Sequence, residues 1–302
     1  MGFTSPTTVM LLNFDPLHLS AAALVLAVLM HVGWNLLAKK VHQEVDLLWW
    51  ALLGFIVLFG WIGIYALWQY ELWTIELVQL VLITTLAITL YFVALRWAYQ
   101  GAPASLVYPI ARSSPLLIAV WMSLFWQASM GLFAWIGVSL TVIALLALAW
   151  QNRAQATLKS VIFAATAAFF TSIYSISDYF IAQSFTEIEL FIGLVTVAYV
   201  SSWLALSLLR YQQHKQIIPK QRPSLSVFLI ASSSVGFAYV LTIYAMRDLS
   251  AVYVVSMTNM GIVIVFLLSI FWLKEPVNHR NNWIAIAVLM MGLLVLSVSR
   301  NS

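Results

Sequence analysis

Arg112 stands in the middle of an apolar stretch, bracketed by prolines at positions 109 and 115. A guanidinium offers five N–H donors in a planar fork and grips a carboxylate or phosphonate with two bonds at once. An arginine at the centre of a membrane helix costs about 3 kcal/mol, so it normally faces a wet cavity or a partner. Arg112 comes about nine residues into its run, roughly 14 Å deep at about 1.5 Å per residue. Pro109 cannot donate to the carbonyl of Ser105, nor Pro115 to that of Ala111, which predicts a kinked helix with freed carbonyls beside a fixed charge. That combination suits an anionic group. The competing expectation is a structural arginine, bonded to neighbouring carbonyls or to Asp178.

Asp178 is a second charge in an apolar run, about five residues before its end. It is expected either to take a proton or meet an ammonium group, or else to cap or pair with a lysine near the interface. His31 can titrate near neutral pH and is a second candidate for proton coupling. Trp34 and Asn35 follow it by three and four residues, so the three share one broad helix face. Asn35 suits a solute contact or a helix–helix hydrogen bond of about 1 kcal/mol. Tyr108, Tyr174, Tyr239 and Tyr253 offer phenols that can bond a solute while their rings stack. Ser256 and Asn259, spaced i, i+3, complete the candidate binding set.

The elements that must hold these groups are legible from hydropathy. Ten apolar runs occupy about residues 19–40, 46–68, 75–97, 103–127, 130–150, 158–183, 187–209, 225–246, 250–273 and 282–299. A hydrocarbon layer of about 30 Å needs roughly 20 apolar residues in a helix, because nothing in it satisfies an open backbone. The expected class is therefore all-α integral membrane. Hydrophobic residues make up 63% of the 302-residue chain and charged residues 8%, against about 25% charged in soluble domains. Trp and Tyr cluster near run ends, at Trp49, Trp50, Trp68, Tyr70, Trp73, Trp97, Trp150, Tyr211 and Trp283, where interfacial aromatics belong.

The same composition excludes several chemistries. There is no cysteine, hence no disulfide, thiolate nucleophile or cysteine metal site. His, Asp and Glu are too scattered for a metal cluster, and no cofactor is expected. No basic cluster interleaved with aromatics suggests a nucleic acid. The first 18 residues lack Lys and Arg, unlike a cleavable signal peptide.

Basic residues gather on the odd-numbered loops and their flanks: Lys39, Lys40, Arg96, Arg153, Lys159, Arg210, Lys215, Lys220, Arg222, Lys274 and Arg280. The even loops and both tails hold only Arg247 and Arg300. The positive-inside rule then places the odd loops in the cytoplasm and both termini outside. Lys274, Glu275 and Arg280 are expected as interfacial anchors.

The second five runs echo the first five. Ala98–Leu146 falls on Ala245–Leu293 without a gap at an offset of 147, which sets Arg112 on Asn259. The first and sixth runs align at about 143, pairing Asn35 with Asp178 and His31 with Tyr174. Five is odd, so the second half enters the membrane from the opposite side. The expected layout is an inverted repeat, 17–150 and 158–300, of the kind that lets two halves rock about a midplane site.

The chain resembles an EamA-type member of the drug/metabolite transporter (DMT) superfamily. The residues that carry the likeness are His31-Val-Gly-Trp-Asn35 with Lys39, Ala98-Tyr99, and Ser105-Leu-Val-Tyr-Pro109-Ile-Ala-Arg112-Ser-Ser-Pro115. Leu273-Lys-Glu-Pro276 is similar to the family's Gly-Glu step. The family's frequent Glu-Pro in the fourth span reads Ser114-Pro115 here, and Gln127-Ala128 replaces its acidic step. The resemblance implies ten helices around a cavity lined by spans 1, 3, 4, 6, 8 and 9, with 5 and 10 peripheral. It also implies movement of small organic solutes, often export of amino acids. Several family members keep both termini in the cytoplasm, opposite to the charge count.

The expected function is secondary transport of a small polar or zwitterionic, amino-acid-like metabolite by alternating access, with export favoured and a bacterial inner membrane as the setting. Uptake of an aminophosphonate or similar anionic solute is the alternative, and an intramembrane enzyme the alternative of another class. No His-Glu-x-x-His, Gly-x-Gly-Asp or Gly-x-Ser-x-Gly is present to support the enzyme. Expected partners are the solute, a proton or counter-solute, and the lipid bilayer, with the chain as a monomer or weak homodimer.

Overall fold

A computed structural model describes residues 15–40, 45–151, 153–271 and 280–299. Ten helical segments among them are long and apolar enough to cross a membrane. They are α1 (Pro16–Lys40), α2 (Leu47–Gln69), α3 (Ile75–Gln100), α4 (Ala104–Ala111) with α5 (Ser114–Phe125), α6 (Leu132–Trp150), α7 (Leu158–Ser184), α8 (Ile188–His214), α9 (Leu225–Ala245), α10 (Ala251–Thr258) with α11 (Met260–Phe271), and α12 (Arg280–Ser299). The fourth and ninth spans are thus each two helices set end to end. Leu273–Pro276, with Lys274 and Glu275, falls outside the described residues.

Short polar side chains start several helices. The hydroxyls of Thr74, Thr157, Ser224 and Ser250 accept from the backbone N–H three residues on, at α3, α7, α9 and α10. Each satisfies one of the orphan donors that a helix N-terminus leaves.

Packing pairs α1 with α9, α3 with α7, α2 with α8, and α6 with α12, while α9 also meets α2 and α8 also meets α3. The centre of the bundle is aromatic: Phe55 of α2 lies edge-on to Tyr199 of α8 and to Phe237 of α9. Glycines permit the closest approaches. A Cβ on Gly236 would overlap the Phe55 ring, and one on Gly63 would overlap the backbone of Gly193. Without a hydrophobic force between helices in lipid, such close dispersion contact is what holds them together. The Ser232-x-x-x-Gly236 spacing thus marks a real interface, between α9 and α2.

One ion cluster ties three helix ends. Asp46, the residue before α2, accepts from Arg96 Nη1 at 3.2 Å and Arg210 Nη1 at 3.0 Å on the same carboxylate oxygen. Arg96 also donates to Gln213 at 3.4 Å. Two of the bases counted as loop-flanking charges are therefore structural, holding the α2, α3 and α8 ends on one face. At the other end, Ser20 donates to Asp248 at 2.6 Å and Arg247 donates to the Thr186 carbonyl at 2.9 Å.

Candidate functional site

The fourth span breaks at the arginine. α4 ends at Ala111, Arg112 and Ser113 take φ/ψ of −87/1 and −81/5, and α5 resumes at Ser114 with Pro115 in its first turn. Proline is tolerated there because the first turn has no intrahelical use for its N–H. Pro109 lies inside α4, and the break falls three residues beyond it. The ninth span breaks at Asn259, between α10 and α11, where Asn259 N–H bonds Ser256 O and Ile262 N–H bonds Asn259 O in tight i→i+3 fashion.

The two breaks meet. Arg112 Nη1 donates to Thr258 Oγ1 at 3.0 Å, and Asn259 Nδ2 donates to the Arg112 carbonyl at 3.4 Å. The guanidinium also lies 5.2 Å from the centroid of the Tyr108 ring, in cation–π range. Tyr108 O–H in turn accepts from Asn35 Nδ2 of α1 at 3.1 Å. His31, one turn before Asn35, is within electrostatic reach of Arg112. Trp34 packs its half-buried ring against the main apolar core.

A second network surrounds Asp178 on α7, which is fully buried. Thr84 of α3 donates to Oδ1 at 2.8 Å, and Tyr239 of α9 donates to Oδ2. Asp178 therefore sits deep in the bundle. Among the described residues its partners are these two hydroxyls, neither a lysine at the interface nor Arg112. Tyr174 lies edge-on to Tyr239 at 5.9 Å and to Tyr91 of α3 at 5.8 Å, and Tyr199 stacks on Tyr239 at 6.2 Å. Tyr174 thus sits in ring contact with both Tyr91 and Tyr239, beside the Asp178 network.

Together these bonds join α1, α3, α4, α7, α9 and α10, six segments from spans 1, 3, 4, 6, 8 and 9. Although interior, His31, Trp34, Asn35, Tyr91, Tyr108, Arg112, Tyr174, Tyr239 and Tyr253 each keep part of their surface accessible. Ser114 Oγ, Ser256 Oγ and Asn259 Oδ1 are buried at or near the two breaks with no hydrogen-bond partner among the described residues. Bare buried oxygens are costly and call for a partner such as water or a solute.

Thr84, Thr258, Tyr91 and Tyr199 were not among the residues expected from sequence. A threonine in an apolar helix is anonymous, because its hydroxyl usually bonds its own backbone. Thr258 does so to Val255 O at 2.7 Å while also receiving Arg112. Its place beside Asn259, the repeat counterpart of Arg112, was the available signal.

No curated protein matches the chain. Among solved structures 29 chains match. One crystal structure of a protein aligns over 92% of this chain and 97% of its own, with a TM-score of 0.68 at 18% identity. At that identity the likeness speaks for the fold alone, an arrangement of helices shared along nearly the whole length. Residues 158–298, from the start of α7 to the end of α12, match the EamA-like transporter family. With ten membrane spans, the chain is a multi-pass membrane protein whose second half matches the EamA-like transporter family.

Proposed function

We propose that the protein is a secondary carrier for a small zwitterionic, amino-acid-like metabolite, working by alternating access and operating in export. The observation that carries this reading is the meeting of the two helix breaks, where Arg112 faces Thr258 with no carboxylate as partner among the described residues. A solute carboxylate bound there would replace one neutral hydroxyl acceptor by a charged, bidentate one, roughly doubling the strength of each bond. Its ammonium end would lie against the phenols of Tyr108, Tyr174 and Tyr239, toward Asp178. Ser256, Asn259, Asn35 and Tyr253 complete the binding set. Asp178 and His31 are the groups available to couple a proton.

Two repeats, 17–150 and 158–300, would supply the moving halves. Exchanging the halves turns the α1–α9 pair into α7–α3 and the α2–α9 pair into α8–α3, while α2–α8 and α6–α12 map onto themselves. This exchange of contacts supports a two-fold repeat, which we read as inverted because each half holds an odd number of spans. The helix breaks obey it too, since Arg112 and Asn259 lie 147 residues apart.

The test is counterflow in proteoliposomes loaded with one amino acid at a time. A carrier accelerates uptake of labelled solute when the same solute is present on the far side, and an open pore does not. Recovery of a chemically altered solute would instead favour an intramembrane enzyme.

A further inference from the structure

The segment between α8 and α9 is a basic connection that contributes none of the candidate site residues. No Asp or Glu occurs from Leu190 to Arg247, yet His214, Lys215, Lys220 and Arg222 all lie exposed within or beside this connection. Two isoleucines stand among these bases, Ile217 at 49% and Ile218 at 54% exposure. An exposed Ile-Ile pair set in positive charge is out of place in water and suited to the boundary between headgroups and acyl chains.

The segment is also shaped. α8 ends with Lys215 in the left-handed region at φ 56, its N–H bonded to Tyr211 O at 2.8 Å. That turn folds the chain back, so that Lys215 Nζ lies 5.7 Å from the Tyr211 ring centroid. Tyr211, Lys215, Gln216, Ile217 and Ile218 line a shallow groove of about 420 Å³. Pro219 is buried beneath it, and Trp50 Nε1 of α2 donates to Gln221 O at 3.3 Å. The segment is thereby pinned to the bundle at the end where Asp46 holds Arg96 and Arg210.

We infer that this groove binds an anionic phospholipid of the surrounding bilayer, with its phosphodiester at Lys215, its negative charge drawn also by the exposed Lys220 and Arg222 of the same connection, and its acyl chain against Ile217, Ile218 and Tyr211. Basic residues at the membrane surface attract anionic headgroups additively, and the apolar pair supplies a contact that free phosphate cannot use. The occupant is a lipid because charge and apolar surface share one groove; an acidic protein segment would need only the charge. The inference does not depend on what the carrier moves.

Native mass spectrometry of the purified protein in detergent tests it, with phosphatidylglycerol or phosphatidylcholine titrated in. The wild type is expected to retain phosphatidylglycerol over phosphatidylcholine, and each of Lys215→Gln, Lys220→Gln and Arg222→Gln to lower that retention roughly fivefold. An Ile217→Ser, Ile218→Ser double variant should weaken retention of phosphatidylglycerol while keeping its preference over phosphatidylcholine. All five positions are exposed, so thermal unfolding should be unchanged in lipid-free detergent. Equal retention of the two lipids by the wild type would overturn the inference. So would unchanged retention in the glutamine variants, or displacement of the lipid by inorganic phosphate or an acidic peptide at equal concentration. Loss of solute counterflow with lipid retention intact would strike the carrier reading and leave this one standing.

Discussion

Arg112 on the fourth span donates to Thr258 on the ninth, joining the two interruptions of helix that lie deepest in the bundle. Arg112 makes this bond from the turn at 112–113, and Thr258 receives it as the last residue of α10. The bond is between a charge and a neutral hydroxyl, and Arg112 has no anion beside it among the described ion pairs. A half-buried arginine without a counter-ion among the described residues suits the proposed solute anion.

The fork of Arg112 therefore matters beyond its charge. Arg112→Lys keeps a cation but loses the planar, bidentate geometry. One lost charge-assisted hydrogen bond is worth about 1.5–3 kcal/mol, so half-saturation for the solute should rise roughly tenfold to a hundredfold. Thr258→Val should do much less, because the solute itself replaces the Thr258 hydroxyl. Half-saturation measured in proteoliposomes checks both.

Asp178 holds two hydroxyl donors in a fully buried place. Asp178→Asn keeps an oxygen for one of them and should fold normally, while uptake no longer responds to an imposed proton gradient. Asp178→Ala leaves the Tyr239 hydroxyl without its acceptor and should cost about 1–3 kcal/mol of stability. Transport with and without a pH gradient, alongside thermal unfolding of both variants, separates these effects.

Asp46→Ala should destabilise without touching the solute. It would leave Arg96 and Arg210 facing each other with side-chain exposures of only 18% and 11%. Breaking a fully buried pair costs about 3–5 kcal/mol and an exposed one under about 1, so this partly screened cluster should lose about 2–3 kcal/mol. Arg96→Gln should cost less, since the Arg210–Asp46 pair survives. Thermal unfolding in detergent ranks the three proteins.

Glycine substitutions give an internal contrast. Gly236→Ala puts a methyl into the Phe55 ring, and overpacking of this kind costs about 1–3 kcal/mol or more. Gly33→Ala meets nothing within 4 Å and should be neutral or slightly stabilising through better helix propensity. Equal unfolding temperatures for the two variants would contradict the packing described.

Hydropathy made the spans readable, because in a bilayer each must satisfy its own backbone. The interruption of the fourth span was readable from Pro115, whose ring and missing N–H forbid a continuous ladder. That of the ninth span has no proline and was not expected from the sequence, where Asn259 stood out only as the counterpart of Arg112. The surroundings of Asp178 were not legible. Periodicity cannot tell which of many threonines and tyrosines on two distant helices will converge on one carboxylate. The Asp46 cluster was hidden for a different reason: charges near helix ends look like interfacial anchors until tertiary packing brings them together. Only the structure places Arg210, 164 residues away, on Asp46.

The account rests most heavily on Arg112 as the group that receives the solute anion. Counterflow should be measured in proteoliposomes of the wild type and Arg112→Gln, with thermal unfolding of both proteins in detergent. Glutamine keeps an N–H donor on a side chain two atoms shorter and removes the charge. The account predicts that counterflow is lost while the unfolding temperature is retained. Counterflow at the wild-type rate, or its loss together with a collapse in stability, would contradict it.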